Sequence, residues 1–371
     1  MSKLRLVVVG VGVAALGLWA VAQSSMRAAM QGSSRPDGYH VVQKVPLPNK
    51  GGWDYLGIDE PAQRLYVSAG SQEDVLNART LQMVGAVTGL AGTHGVAISD
   101  KDNHGFTSNG GSQSFTEFDL KTLKTIKQIP VPIRAPDGII YDPATDRIFA
   151  FNHDSHAVAV DAKTGDVVGT ILLPAKAAEY AAADGEGHVY DNLESSSQEI
   201  EIDARSLKIL HVWNLAPRCT HPSGLAMDTQ SRRLFIGCHN NVMAILNADT
   251  GQIVATEPIG SGVDANRFDP GTRLAFSSNG GNGTITVVHE DSPNHYTLVG
   301  NVATEAGART MEVDTETHTL FTVTATRRHL TQQQMANLRK EAAAARGRGG
   351  RFNFFARMIV PNSFHLIVVK Q

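Results

Sequence analysis

A structural unit recurs along most of this sequence. It comprises a short apolar strand, an Asp turn, an Arg-Leu-aromatic strand, a polar turn, a third strand ending in Asp, and a Thr-Gly or Thr-Leu hairpin into a fourth. The turn after the first strand falls at Asp59, Ser99, Asp142, Asp184, Asp228, Asp269 and Asp314, in steps of 40, 43, 42, 44, 41 and 45 residues. A single unit of this size cannot bury its own apolar face; stacked units can, and four strands per step of this length is the signature of a propeller blade. Second strands keep register with the turn, as in Arg64-Leu65-Tyr66-Val67, Arg147-Ile148-Phe149-Ala150, Arg233-Leu234-Phe235-Ile236 and Arg273-Leu274-Ala275-Phe276. Alternating β-branched and aromatic residues between such turns specify antiparallel strands rather than helices. The ends fit the same scheme. Residues 39–47 read as a fourth strand with no blade before it, and residues 363–369 as a third strand with no fourth after it. Pairing the two completes a seventh blade from both termini and removes the free sheet edges. The expected fold is therefore all-β: a seven-bladed β-propeller of four-stranded antiparallel blades over residues 39–371.

Composition narrows the function classes. The chain has 371 residues and a net charge of −3, which removes bulk attraction to nucleic acid as a default. Its 2 cysteines cannot build a disulfide-dense scaffold or a four-thiolate zinc site, so a hydrophobic core must hold the fold. At the N-terminus, Lys3 and Arg5 precede an apolar run that ends in Ala20-Val21-Ala22, the pattern of an export signal over residues 1–22, followed by a linker over 23–38. The run is shorter than the ~20 residues a membrane-crossing helix needs, so no transmembrane anchor is expected and the mature chain is placed in the periplasm or outside the cell. Gly10, Gly12 and Ala15 mimic a dinucleotide-binding turn. The first acidic residue is Asp37, too late for the ribose-binding position, and the flanks are those of an export signal.

Leu65-Tyr66-Val67-Ser68, the turns Ser108-Asn109-Gly110-Gly111 and Ser278-Asn279-Gly280-Gly281, and Val158-Ala159-Val160-Asp161 with Thr164-Gly165 resemble the YVTN-repeat, YncE-like seven-bladed β-propellers. The resemblance covers about residues 39–371. It implies a fold that hosts binding proteins, lactonases, lyases and cofactor-dependent enzymes alike, so function must be argued from a site.

The register supplies a candidate site. In a propeller, the loops leading into the innermost strands open on one face around the central channel. The position five residues before each turn is Asp54, His94, Asp137, Glu179, Ser223, Asp264 and Arg309 in successive blades. It is polar seven times and chemically different from blade to blade, whereas structural repetition favours sameness. The position three before the turn is mostly apolar, as packing between blades requires. A ring of four carboxylates with one Arg and one His reads either as a solvated channel mouth or as a ligand or metal site. As a metal site, Asp54, Asp137, Glu179 and Asp264 would supply oxygens suited to calcium, magnesium or manganese, with His94 as the candidate catalytic acid or base. Trp53, Tyr55 and Tyr180 could wall an organic ligand or simply pack between blades.

Two further features stand out. Cys219-Thr220-His221 and Cys238-His239 lie on loops that reach the same face of blade five. In an exported chain a Cys219–Cys238 disulfide is the leading reading, ahead of two separate thiols and a Cys/His metal site. In blade three, His153-Asp154-Ser155-His156 reads as a turn. Blade seven carries an insertion over residues 327–360. Thr331-Gln332-Gln333-Gln334 opens a helix there with a capping box, and the helix is expected to run to about Arg346. Eight basic residues against Glu341 give the insertion a net +7, leaving −10 on the rest of the chain. Arg346, Arg348 and Arg351, with Phe352, Phe354 and Phe355 as apolar anchors, could close over the acidic mouth as a lid, or meet nucleic acid, an anionic surface or a protein partner. The leading reading is an exported monomeric propeller that binds a small ligand or protein partner at its mouth. The alternative is a metal-assisted hydrolase or lyase using the ring carboxylates and His94.

Overall fold

Strands of four pair into radial sheets because each Asp turn reverses the chain in a fixed geometry. The carboxylates of Asp59, Asp142, Asp184, Asp228, Asp269 and Asp314 accept backbone N–H groups two to three residues ahead, for instance Ala62 at 2.9 Å and Thr145 at 3.1 Å. This local bond satisfies donors that a tight turn strands, which is why the repeat keeps Asp there. The outer hairpins use the same device with Asn77, Asp119, Asp161, Asp203 and Asn247. The computed structural model describes residues 38–48, 52–328, 330–347 and 358–371. The expected export signal and nearly all of the linker lie outside the described residues, as do Arg348, Arg351, Phe352, Phe354 and Phe355. Arg346 is described in its backbone only.

Among the described residues the strands form seven blades of four. Blades three to six are separate sheets, while blades one and two are joined into one sheet by the long strand Met83–Ser99, outer in blade one and inner in blade two. Blade seven is assembled from both ends of the chain. Its inner strands Met311–Asp314 and Thr319–Thr324 are followed by His365–Lys370, and the outer strand is His40–Pro46, antiparallel to it with Val45 opposite Leu366. The two terminal strands therefore meet as the repeat requires, each within two residues of its expected bounds.

Packing between blades is apolar. Phe106, Phe149, Phe235, Phe276 and Phe321 from the second strands are fully buried. Arginines that open second strands tie one blade to the next. Arg64 donates to the Leu120 and Lys121 carbonyls, Arg147 to those of Ala204 and Arg205, and Arg233 to Pro293 and Asn294. In these three blades the Arg of the repeat is an inter-blade clamp, whereas Arg273 faces Glu290 of its own blade at 3.9 Å.

The insertion leaves blade seven on the mouth face. Its helix spans Gln332–Gly347 and opens on the expected capping box: the Thr331 hydroxyl accepts the Gln334 N–H at 3.2 Å, and the Gln334 side chain accepts the Thr331 N–H at 2.9 Å. Leu338 is its buried side chain among the described positions. A short ladder closes the base, with Arg328 N–H to the Met358 carbonyl at 2.6 Å and Val360 N–H to that of Thr326 at 2.8 Å. Because this ladder already brings the ends together, replacing residues 329–357 with a Gly-Ser turn should leave the melting temperature within a few degrees of the parent by circular dichroism. A loss of cooperative melting would show that the insertion is part of the core.

Candidate functional site

The seven positions singled out by register do form a ring, and five of its seven neighbouring pairs touch directly. Arg309 bridges Asp264 and Asp54, the latter at 3.1 Å. Asp54 lies 2.7 Å from His94 Nδ1, and Asp137 lies 3.2 Å from the same nitrogen. His153 then links Asp137, at 2.8 Å, to Glu179, at 3.6 Å. Ser223 donates weakly to Asp264 at 3.3 Å. Cation and anion thus alternate from blade six, through the seam, to blade four. Between Glu179 of blade four and Ser223 of blade five the chain of contacts is open. A cavity of about 260 Å³ sits there, lined by Glu179, Glu194, Ser223, His239, Asp264 and Arg309.

The ring is fixed through its backbone by side chains at the ends of second strands. Ser108 donates to the Asp137 carbonyl at 2.5 Å, Asn192 to that of Ser223 at 2.8 Å, and Ser278 to that of Arg309, each reaching from the preceding blade. The Asp54 N–H is held by Ser68 of its own blade at 2.7 Å. In the two Ser-Asn-Gly-Gly turns the first glycine lies against a ring side chain. A Cβ on Gly110 would stand 2.7 Å from His94 Nε2, and one on Gly280 would stand 2.6 Å from the Arg309 Cβ. These glycines are required by close approach.

Electrostatics follow the contacts. Burial works to raise the Asp54 carboxyl, but Arg309 and the His94 hydrogen bond overcome it and hold it below its ordinary value. Burial likewise works to lower His94, yet the bond to Asp54 and the charges of Asp137 and Asp54 leave it raised. The hydrogen bond to Asp137 lifts His153 to about 9, against burial. Glu179 has the weakest partner of the four carboxylates. Burial, with the charges of Asp137, Glu194 and Asp54, pushes it up to about 8 despite His153. Glu194 is weakly placed too, 3.5 Å from His239.

Several expectations need correction. Asp54, Asp137, Glu179 and Asp264 do not converge on one point: Asp264 is taken by Arg309, and Glu179 lies beyond His153. His153, read as part of a turn, is on that turn but reaches into the ring, while His156 stays outside it. Glu194 and His239 also belong to the mouth. All three stand on loops between second and third strands, ten or eleven residues after the blade turn, where the other blades carry Gly70, Gly110, Gly280 and Ala325. Beneath the ring the channel is crossed by Tyr55 and Tyr180, ring centroids 4.4 Å apart, with the Arg267 guanidinium 5.3 Å over Tyr180. Trp53 instead packs on Phe364. Cys219 and Cys238 are joined as a disulfide, Cα atoms 5.4 Å apart, bracing the two blade-five loops beside the cavity.

No family model and no curated protein matches the chain. Solved structures do. The crystal structure of RRP9 WD40 repeats matches with a TM-score of 0.68 at 10% identity, covering 90% of this chain and 97% of that one. The structure of U3-55K matches at 0.67 and 9% identity, covering 89% and 98%. A chain of the mitotic checkpoint complex matches at 0.68 and 14% identity, covering 76% and 88%. The likeness is one of fold: a β-propeller of four-stranded repeat blades.

Asp191 and Glu199 on blade four are fully buried, and none of their carboxyl oxygens has a hydrogen-bond partner among the described residues. Burial pushes both well above the ordinary range, with the charges of Glu199 and Glu179 adding at Asp191. A carboxyl raised in the folded state contributes stability that is complete below its unfolded pKa and is lost as pH rises through the folded one. The melting temperature should therefore fall from about pH 6 to about pH 9 more steeply in the parent than in Asp191→Asn/Glu199→Gln. Parallel slopes would refute the assignment. Breaking the disulfide that closes the 19-residue separation with Cys219→Ser/Cys238→Ser should lower the unfolding free energy by about 3 kcal/mol, read as a lower denaturant midpoint.

Proposed function

We propose that this chain is an exported binding scaffold whose mouth face engages a protein partner through a basic side chain set into the break in the ring. The observation that carries the reading is the cavity between blades four and five, where Glu179 and Glu194 stand with the weakest counter-charges of the mouth. An arriving ammonium or guanidinium would complete the alternation that runs around the other blades, and would be recognised by charge-assisted hydrogen bonds. The disulfide supports export, since such bonds persist in oxidising compartments. Propeller neighbours among solved structures support a scaffold role by analogy of fold alone.

The metal-assisted hydrolase reading has one specific observation behind it. Asp54, His94 and Asp137 each place a ligand atom within 4.8 Å of the others. Calcium takes about six to eight oxygens and magnesium a near-octahedral set, whereas this group offers two carboxylate oxygens and one imidazole nitrogen. That nitrogen itself sits between both carboxylates, and Arg309 already neutralises Asp54. These existing ion pairs weigh against the metal reading, and no reaction step is derived through a cation.

Titrating a lysine-rich peptide onto the immobilised protein tests the binding reading, with a glutamate-rich peptide of equal length as control. The lysine peptide should bind with an affinity that falls as salt rises. Glu179→Gln/Glu194→Gln should weaken it roughly tenfold, in line with the loss of charge-assisted hydrogen bonds. Equal binding of both peptides, or unchanged affinity in the double variant, would exclude it.

A further inference from the structure

On the face opposite the mouth, several seams between blades are locked by a basic side chain on the neighbouring Asp turn. Arg232 of blade five reaches Asp184 of blade four at 3.2 Å, His318 of blade seven reaches Asp269 of blade six at 2.7 Å, and Arg79 of blade one reaches Asp314 of blade seven at 2.7 Å. Arg273 of blade six stands in the same register as Arg232 and His318. Each immediately precedes its second strand, with φ of 57°, 54° and 55° respectively. Arg273 makes no such lock. Its guanidinium has no hydrogen bond among the described residues, and its ion pair, to Glu290 of its own blade, is 3.9 Å long. A cavity of about 380 Å³ lies in this unlocked seam, between Asp228 of blade five and Arg273. That size falls within the range of small-molecule pockets, about 300–1,000 Å³.

Two buried carboxyls stand at its wall. The Glu290 side chain is 2% exposed, against 46% for Arg273. Its carboxylate is turned to the cavity, because both oxygens meet lining side chains: Oε1 accepts the Ser231 hydroxyl at 3.0 Å, and Oε2 faces Arg273. Burial raises Glu290 against the Ser231 bond, and the adjoining Asp228 raises it further by its charge and by a hydrogen bond between the two carboxyls. Phe268, Pro270 and Pro293 complete the wall with apolar surface. The charges decide the ligand. A simple anion drawn to Arg273 meets Glu290 and Asp228, and a simple cation drawn to the carboxyls meets Arg273. A zwitterion satisfies all three, its ammonium at the carboxyls and its carboxylate on the half-exposed guanidinium, through charge-assisted hydrogen bonds. We infer that the seam between blades five and six is a second binding site, distinct from the mouth, for a free α-amino acid whose apolar side chain lies against Phe268, Pro270 and Pro293. The ligand supplies to this seam the ion pairs that neighbouring seams make directly.

L-Leucine serves as the probe, titrated calorimetrically into the full chain. It should bind saturably in one equivalent. N-acetyl-L-leucine lacks the ammonium and L-leucinamide lacks the carboxylate, and each should bind at least roughly tenfold more weakly. Arg273→Gln should weaken leucine roughly tenfold without weakening leucinamide, which has no carboxylate to offer the guanidinium. Glu290→Gln should weaken leucine to a similar degree without weakening N-acetyl-leucine. That crossed pattern ties each residue to one charge of the ligand, which a merely structural defect would not do. Absence of saturable leucine binding to the folded parent overturns the inference, as does either blocked analogue binding as tightly as leucine. Parent affinity for leucine in a cooperatively melting Arg273→Gln or Glu290→Gln overturns it as well.

Discussion

The pairing of His40–Pro46 with His365–Lys370 is the contact on which the remaining architecture depends. Seven inner strands face one axis only if the first and last blades meet. Blade seven lacks its outer strand until the N-terminal segment supplies it. Once it does, the seam between blades seven and one closes at three heights. Arg79 reaches Asp314 at 2.7 Å near the Asp turns, Leu56, Leu65 and Val67 pack with Phe321 and Val323 in the middle, and Arg309 reaches Asp54 at the mouth. The last of these is also a member of the ring. Closure and site therefore share a residue pair, and the mouth cannot form in an open-ended array of the same blades.

Around the mouth, one backbone position carries five different kinds of side chain in seven blades. The backbone at these positions is held by the second-strand side chains of Ser68, Ser108, Asn192 and Ser278, which leaves the ring side chains free to vary. Variation then sorts by charge. From blade six through the seam to blade four each carboxylate meets a basic side chain within hydrogen-bonding or ion-pair distance, and these carboxylates, working against burial, shift His94 and His153 upward. Interactions of this kind are strong only where water is partly excluded, which the channel walls provide. The break at blades four and five is where Glu179 and Glu194 have only the more distant imidazoles of His153 and His239, at 3.6 and 3.5 Å, and there the ring has room for a further cation.

Much of this was readable from sequence. The Asp turns, the capping box at Thr331 and the terminal strands announce themselves because each is a local hydrogen-bonding or patterning requirement with a fixed spacing. The ring was readable for the same reason, since counting from the turn puts Asp54, His94 and Arg309 at equivalent heights. Pairing was not. Whether four carboxylates point at one another or at intervening cations depends on side-chain directions across blade boundaries, which register does not encode. His153 and His239 were missed as ring members because the count was made from one loop of each blade. The other loop carries its own signal, small residues at Gly70, Gly110, Gly280 and Ala325 against long polar ones in blades three to five, and that contrast marks the side of the mouth where the loops add function.

The two ends of the channel differ in chemistry. One residue below the ring the blades present Tyr55, Gly95, Gly138, Tyr180, Gly224, Ala265 and Thr310. Two large aromatic residues among five small ones cannot be a symmetric lining; they are a partition. A Cβ on Gly95 would stand 3.1 Å from the Tyr55 Cβ, and one on Gly138 would stand 3.1 Å from the Tyr55 hydroxyl, so the small residues clear the space that Tyr55 occupies. Arg267 and Glu312 then brace Tyr180 from below. A ring of charge above and an aliphatic vestibule below would be incompatible in one continuous water-filled pore, because the charges would draw water through it. The tyrosine layer separates them, with its apolar ring faces spanning the axis. Each side therefore keeps its own chemistry, charged at the mouth and aliphatic below the tyrosines.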